Sequence, residues 1–351
     1  MIAAGAPVAV GISGGKDSCA VAIAVAELLA ARGHRGPKIL IHADLGLVEW
    51  MDSGSTCVRL STLLKARHGQ DNWDLVVTRR QRGGMMERWE ERWAESQRRY
   101  EELECVKIIL PWSTPSMRFC TAELKRDPIT AMLKRMFKGP VLSVSGIRAE
   151  ESPRRAKMPP SKPGSKLRAG SVDWNAILRW RLEDVWRRCA GFKMHEAYAM
   201  GSTRVSCVWC IMGSENDFAV ALSDRRYDPL YRRMTNLELA SGFAFQGGKW
   251  LSDLAPDRIQ GGANRILAAK ELAARREEIE SVIPEHLLYV KGWPVAVPTD
   301  AEAQLLAEAR QRALLIYDWQ SRYVDSASIQ NRYRELMAEN AAREAKKAKI
   351  R

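Results

Sequence analysis

Over the first half of the chain, apolar residues fall in short unbroken runs that alternate with longer apolar stretches. The run 7–12 (PVAVGI) enters a Gly-rich turn and gives way to 17–31, rich in Ala, Val and Leu. The first run has strand length and β-branching and the second has helix length, so a strand, a loop and a buried helix are predicted. The pattern then repeats. Residues 38–43 (KILIHA) predict a second buried strand, 56–67 a second helix and 73–78 (WDLVVT) a third strand. Residues 121–137 predict a further helix and 140–145 (PVLSVS) the next strand, ending at Gly146-Ile147-Arg148. Unalternating strands between helices imply an α/β fold, a doubly wound parallel sheet with ligands at the carboxyl ends of its strands.

Other stretches obey different rules. In 84–104, Met86, Trp89, Trp93 and Tyr100 recur at helical spacing among Arg and Glu, which predicts a long amphipathic helix. Its aromatic stripe suits a core, and nucleic-acid contact is the alternative. Residues 153–170 carry several Pro, Gly, Lys and Arg with almost no apolar pattern, so a mobile basic loop is expected there, either a lid or a plain insertion. From Leu182 short helices dominate, and the chain beyond Pro298 is mostly helical, ending in the basic run 341–351. The expected organisation is a nucleotide-binding domain over 1–220 and a mainly helical C-terminal appendage over 221–351.

Charge and cysteine usage narrow the function classes. The formal charge is +13 over 351 residues and the pI is about 9.5, a balance that draws polyanions. DNA or RNA is one such partner, and anionic nucleotides are another. The longest apolar run, 19–31, is interrupted by Glu27 and is too short to span a bilayer, and 1–12 lacks the basic start of a signal peptide. A cytoplasmic location without membrane contact is expected. Seven cysteines scattered through a long chain argue against a disulfide scaffold and turn attention to metal or redox chemistry.

The strongest chemical signal is Ser13-Gly14-Gly15-Lys16-Asp17-Ser18, placed between the first strand and the first helix. Backbone amides and the helix dipole make that position an anion site, and the glycines let the main chain approach phosphate. Lys16 adds positive charge, Ser13 and Ser18 add hydroxyls, and Asp17 suits Mg²⁺ held against phosphate oxygens. The spacing from Gly11 to Lys16 is one residue short of a Walker A loop, so a different phosphate geometry is implied.

This loop resembles the S-G-G-x-D-S signature of the PP-loop, or adenine nucleotide alpha hydrolase-like (HUP), superfamily. Within it the likeness is to the phosphoadenosine phosphosulfate (PAPS) reductase family and its DNA-phosphorothioation sulfurtransferase relatives, over about 8–218. Further matching segments are His42-Ala43-Asp44-Leu45-Gly46, Arg118-Phe119-Cys120 with Leu124-Lys125 and Pro128, and Gly146-Ile147-Arg148 with Glu151-Ser152 and Arg155. Asp184-Val185-Trp186, His195, Tyr198, Gly201, Arg204, Cys207 and Cys210 complete the order. The resemblance implies that 13–18, Asp44, Arg148 and Arg155 bind ATP, PAPS or adenylyl sulfate (APS), with Asp44 near the adenosine. It also implies catalytic roles for Lys16, Asp17, Lys125 and Arg148, whose cations spread over phosphate or sulfate oxygens. His195 is either a neighbour of the site or a core or capping residue.

Cys207 and Cys210 lie on one turn at a spacing that suits Zn²⁺ or an iron–sulfur cluster, with a bare thiol pair as the alternative. By resemblance Cys120 is the third ligand. Cluster-bearing reductases have adjacent cysteines at that point, whereas Phe119 and Thr121 flank Cys120 here. Either Cys189 supplies a fourth bond, or one iron of a 4Fe-4S cluster stays open for an extra sulfur. Cys19, Cys57 and Cys105 suit the core. The terminal nucleophilic cysteine of true reductases is missing, because no cysteine follows Cys210. The implied function is therefore an ATP pyrophosphatase that adenylates an acceptor, DNA or RNA among the candidates, for cysteine- or cluster-assisted sulfur transfer. Alternatives are a PAPS or APS reductase and a silent nucleotide-binding subunit of a modification or defence complex. A sulfur-donor protein and further copies of the chain are the remaining expected partners.

Overall fold

The computed structural model describes residues 1–69 and 72–350, so the terminal Arg351 of the basic run lies outside the described residues. β1 (Val8–Ile12), β2 (Lys38–Asp44), β3 (Asp74–Arg79), β4 (Leu142–Val144), β5 (Ser161–Pro163) and β6 (Val172–Trp174) form one sheet in the order β3-β2-β1-β4-β6-β5. All pairs are parallel except β5 with β6. The α/β doubly wound architecture is thus present, with helices on both faces. Val8, Val10 and Leu40 face a core containing α1 (Lys16–Ala31) and α2 (Asp52–His68). Ala9, Ile39 and Ile41 face the opposite way, onto the helix Asp127–Met136 through Leu133. Strand alternation therefore buries both faces, which is why the middles of these strands are runs of apolar residues.

The segment 153–170 departs from the expected mobile loop. Pro153–Ala156 is a short helix capped by Ser152, and Ser161–Pro163 pairs antiparallel at the sheet edge. Pro163 is tolerated because an edge strand has one side free of ladder bonds. The basic composition hid a strand of only three residues.

The chain divides into two compact units that are not consecutive in sequence: Met1–Glu87 with Ser113–Leu230, and Arg88–Trp112 with Tyr231–Arg351. The second is helical, built mainly from Gly262–Ser281, Asp300–Tyr317 and Ser326–Ile350. The helix α3 (Met85–Glu101) buries Met86, Trp89 and Tyr100, so the aromatic stripe is core. In the second unit Arg310, 1% exposed, donates to the carbonyls of Tyr100 and Tyr323 at 2.8 Å each. No helix among the described residues is long and apolar enough to cross a membrane.

Candidate functional site

The loop between β1 and α1 is closed on itself by its serines. Ser18 Oγ accepts from the Ser13 amide at 3.1 Å and donates to the Gly15 carbonyl at 2.8 Å. Gly14 sits at φ +76°, and an added Cβ would stand 3.0 Å from the Ser53 carbonyl oxygen, so both conformation and space require glycine there. Gly15 is the N-cap of α1 with no side-chain cap, which leaves first-turn amides for an anion. One of them is used: the Lys16 amide donates to the Tyr198 hydroxyl at 2.8 Å.

The cations and carboxylates around the loop are tied together. Lys16 Nζ donates to the Thr203 carbonyl at 3.0 Å and lies 3.4 Å from Asp17. Arg148, only 5% exposed, donates to Asp17 at 2.5 Å and to Glu150 at 2.6 Å. Burial opposes the charge of Arg148, but the bonds to Asp17 and the neighbouring carboxylates hold its pKa above the ordinary value. Arg155 pairs with Glu151, four residues earlier and on the other side of the extended Ser152.

At the carboxyl ends of β1, β2 and β4 these groups surround a cavity of about 350 Å³. Ser13, Gly15, Lys16, Asp17, Ser18, Lys125 and Arg155 line it, together with apolar Ala43, Leu45, Ile129 and Ile147. Polar groups suited to phosphates thus meet an apolar wall suited to a purine. Lys125 is delivered by a π-helical turn, Ala122–Arg126, set before Asp127–Met136. Arg148 stands behind Asp17 rather than in the lining, and Gly14 is likewise part of the support.

Asp44 lies elsewhere. Its neighbours Ala43 and Leu45 face the first cavity, and Asp44 faces a second of about 820 Å³, paired with Arg79 and accepting from the Gly46 amide at 2.7 Å. Glu49 lines both cavities. It bonds His42 Nε2 at 3.1 Å, while His42 Nδ1 faces the Ile12 carbonyl at 3.1 Å. Burial would lower the His42 pKa, but its neighbours Cys57 and Glu49 raise it to about 11, and both ring nitrogens face acceptors, as an imidazolium requires. His195 is the opposite case, its pKa lowered by burial. Its Nδ1 accepts from the Ala197 amide at 3.1 Å, making it the N-cap of Glu196–Ala199.

The cysteines separate into groups. Cys207 feels Cys210, Lys125, Cys120 and Glu49 electrostatically, and burial is the main cause of its raised pKa. Its backbone bridges Glu49, and the Val208 amide donates to the Val48 carbonyl at 2.8 Å. Cys189 is not with them: its thiol donates to the Lys16 carbonyl at 3.6 Å, and burial pushes it up to about 12. Cys19, Cys57 and Cys105 are buried, as their composition suggested. Among the described residues no three His, Cys, Asp or Glu side chains are disposed to hold a metal ion. The thiols as arranged therefore do not fit a preformed zinc or iron–sulfur site.

Tyr198, Thr203 and Glu49 carry more of the geometry than sequence reasoning assigned them. Tyr198 had a signal, its place in the ordered motif series, whereas a backbone carbonyl such as that of Thr203 leaves none.

Comparison with known proteins adds two findings. Residues 7–212 match the family described as the phosphoadenosine phosphosulfate reductase domain. The chain is also similar to an uncharacterized 37.8 kDa protein in the gpa 5′ region of Escherichia phage 186, with 27% identity over 243 residues, covering 60% of this chain and 68% of the phage protein.

Proposed function

Since the chain belongs to the phosphoadenosine phosphosulfate reductase family, we propose that this PP-loop nucleotide-using enzyme is an ATP pyrophosphatase that activates an acceptor oxygen for sulfur transfer. The observation that supports this most is the closeness of Cys207 to two residues of the nucleotide cavity. Ser206 and Lys125 line that cavity, and Cys207, next in sequence to Ser206, feels the Lys125 charge.

The chemistry is set by these positions. An acceptor oxygen attacks the α-phosphorus of ATP, the α–β bridging P–O bond breaks, and pyrophosphate leaves. The α1 amides and Lys16 stabilise the charge that develops on it. Lys125 and Arg155 neutralise the α-phosphate as the new bond forms. A sulfane sulfur carried on Cys207 as a persulfide then attacks the activated acceptor, and AMP departs with the acceptor oxygen. A second thiol, Cys210 or Cys120, attacks Cys207 Sγ, releasing the acceptor thiolate and leaving a disulfide. A dithiol reductant and a sulfur-donor protein complete the cycle. No step is routed through a metal cluster. The formal charge of +13 favours a nucleic-acid acceptor.

The test is product analysis with ATP, APS and PAPS supplied separately. Pyrophosphate and AMP from ATP, both lost in Lys16→Ala, are expected. Sulfite from either sulfonucleotide would show a reductase instead.

A further inference from the structure

The second cavity, about 820 Å³, shares Glu49 with the nucleotide cavity, so the two are neighbours across a single side chain. Their electrostatics differ. The nucleotide cavity is lined by four cations, Lys16, Lys125, Arg155 and Arg204, against three carboxylates, Asp17, Glu49 and Glu151, and helix amides add to the positive side. The second is balanced, with His42, Arg79 and Arg226 against Asp44, Glu49 and Glu87.

The charges of the second cavity are also satisfied within the fold. Arg79 Nε bonds Asp44 at 3.0 Å, and Arg226 bonds Asp224 at 2.6 Å and Glu196 at 2.7 Å. Glu87 accepts from the Gly84 amide at 2.9 Å. Between these pairs the wall is apolar, including Leu47, Met51, Val58 and Val77, each more than half exposed. Behind these side chains Trp50 and Tyr227, 2% and 3% exposed, form an edge-to-face pair at 5.2 Å that stiffens the wall from within. Among the described residues of this lining a phosphodiester would find every cation already paired, whereas an uncharged flat ring would meet the exposed aliphatic surface of Leu47, Met51, Val58 and Val77.

We propose that this cavity takes the acceptor of the sulfur-transfer reaction, and that the acceptor is a nucleobase presenting a carbonyl oxygen past Glu49 to the α-phosphorus. The inference rests on the proposed reaction for its chemistry and on cavity lining for the ligand class. The carbonyl oxygen forms the bond to phosphorus as pyrophosphate leaves, and sulfur later replaces that oxygen on the ring carbon as AMP departs. The net positive charge of the chain attracts the polyanion carrying the base, and the base itself enters a neutral pocket.

Gly54 makes the idea testable. It lies on α2 in the cavity wall, and a Cβ there meets nothing within 4 Å, so Gly54→Leu projects into the cavity without a clash and improves helix propensity. The full chain and Gly54→Leu are titrated, without ATP, with the common ribonucleosides, with single-stranded RNA and DNA oligonucleotides, and with an abasic oligonucleotide of equal length. ATP binding is measured separately. The expected result is base-dependent binding by the parent chain, weakened tenfold or more by Gly54→Leu, with ATP affinity unchanged; the nucleoside arm shows whether a free base suffices. Equal binding of the abasic strand, an equal loss of ATP affinity, or no effect of Gly54→Leu would each overturn the assignment. Because binding is read without turnover, absence of pyrophosphate release would count against the reaction and leave this contrast intact.

Discussion

At the scale of single residues, the site is a set of charges that hold one another in place. Arg148 and Asp17 form a pair whose arginine is nearly inaccessible, while the Asp17 side chain is 22% exposed. Removing one partner of such a pair leaves the other desolvated, so Arg148→Ala should lower unfolding free energy by about 1–3 kcal/mol, discounted for that exposure. Urea denaturation checks this, and the Asp17→Ala/Arg148→Ala double variant should recover part of the loss. His42 gives a pH signature. Its folded pKa of about 11 lies above the usual 6.5, so it contributes stability in full below about pH 6.5 and loses it as pH rises toward 11. Glu49→Gln should flatten that alkaline decline in a melting series; an unchanged slope would remove the imidazolium assignment. Lys16, Asp17 and the glycines were legible because a phosphate loop needs those residue types together. The side that Asp44 faces was not, because facing is decided by strand alternation one residue at a time.

At the scale of elements, close backbone approach shapes the site. An added Cβ at Gly146 would stand 2.7 Å from the Asp17 carbonyl oxygen, so the end of β4 touches the phosphate loop main chain. Gly146→Ala should cost about 1–3 kcal/mol through forced backbone shifts and should weaken ATP binding, measured by calorimetry, more than a mutation of equal cost in the second unit. The π turn Ala122–Arg126 is a second device, since an extra residue in one turn rotates the side chains on either side of it relative to one another. Deleting Glu123 should restore α-helical phase, turn Lys125 out of the cavity and lower ATP affinity while helicity by circular dichroism is kept. Hydrophobic runs revealed β1 to β4 and the helices between them, because buried parallel strands have a distinctive composition. They did not reveal β5, whose residues Ser161–Pro163 are all exposed, or β6, whose half-buried Val172–Trp174 carries an Asp at its centre, because neither forms an apolar run as β4 does, nor the π turn, whose sequence is ordinary helix.

At the scale of the whole chain, net charge and chain organisation set what can be expected of partners. The helix Ser326–Ile350 ends in residues 341–349, all exposed and rich in Lys and Arg. Truncation after residue 340 should leave the melting temperature within about 1 °C, because surface positions contribute little to stability. It should weaken single-stranded nucleic-acid binding and reduce the slope of log affinity against log salt, by up to about 0.7 for each phosphate that the tail neutralises. An unchanged slope would exclude the tail from that surface. The helical character of the C-terminal region was readable from periodicity. The inclusion of Arg88–Trp112 in the second unit was not, since local patterns carry no information about which distant segment a helix packs on.

The pairing of Asp17 with Arg148 has a consequence for how a nucleotide is received. Were Asp17 to take a magnesium ion arriving with a triphosphate, that ion would have to compete with a guanidinium for the same carboxylate. Binding of the metal and release of the arginine would then be one exchange. Arg148 follows β4 and Asp17 lies just after β1, so the ends of two adjacent parallel strands would respond together.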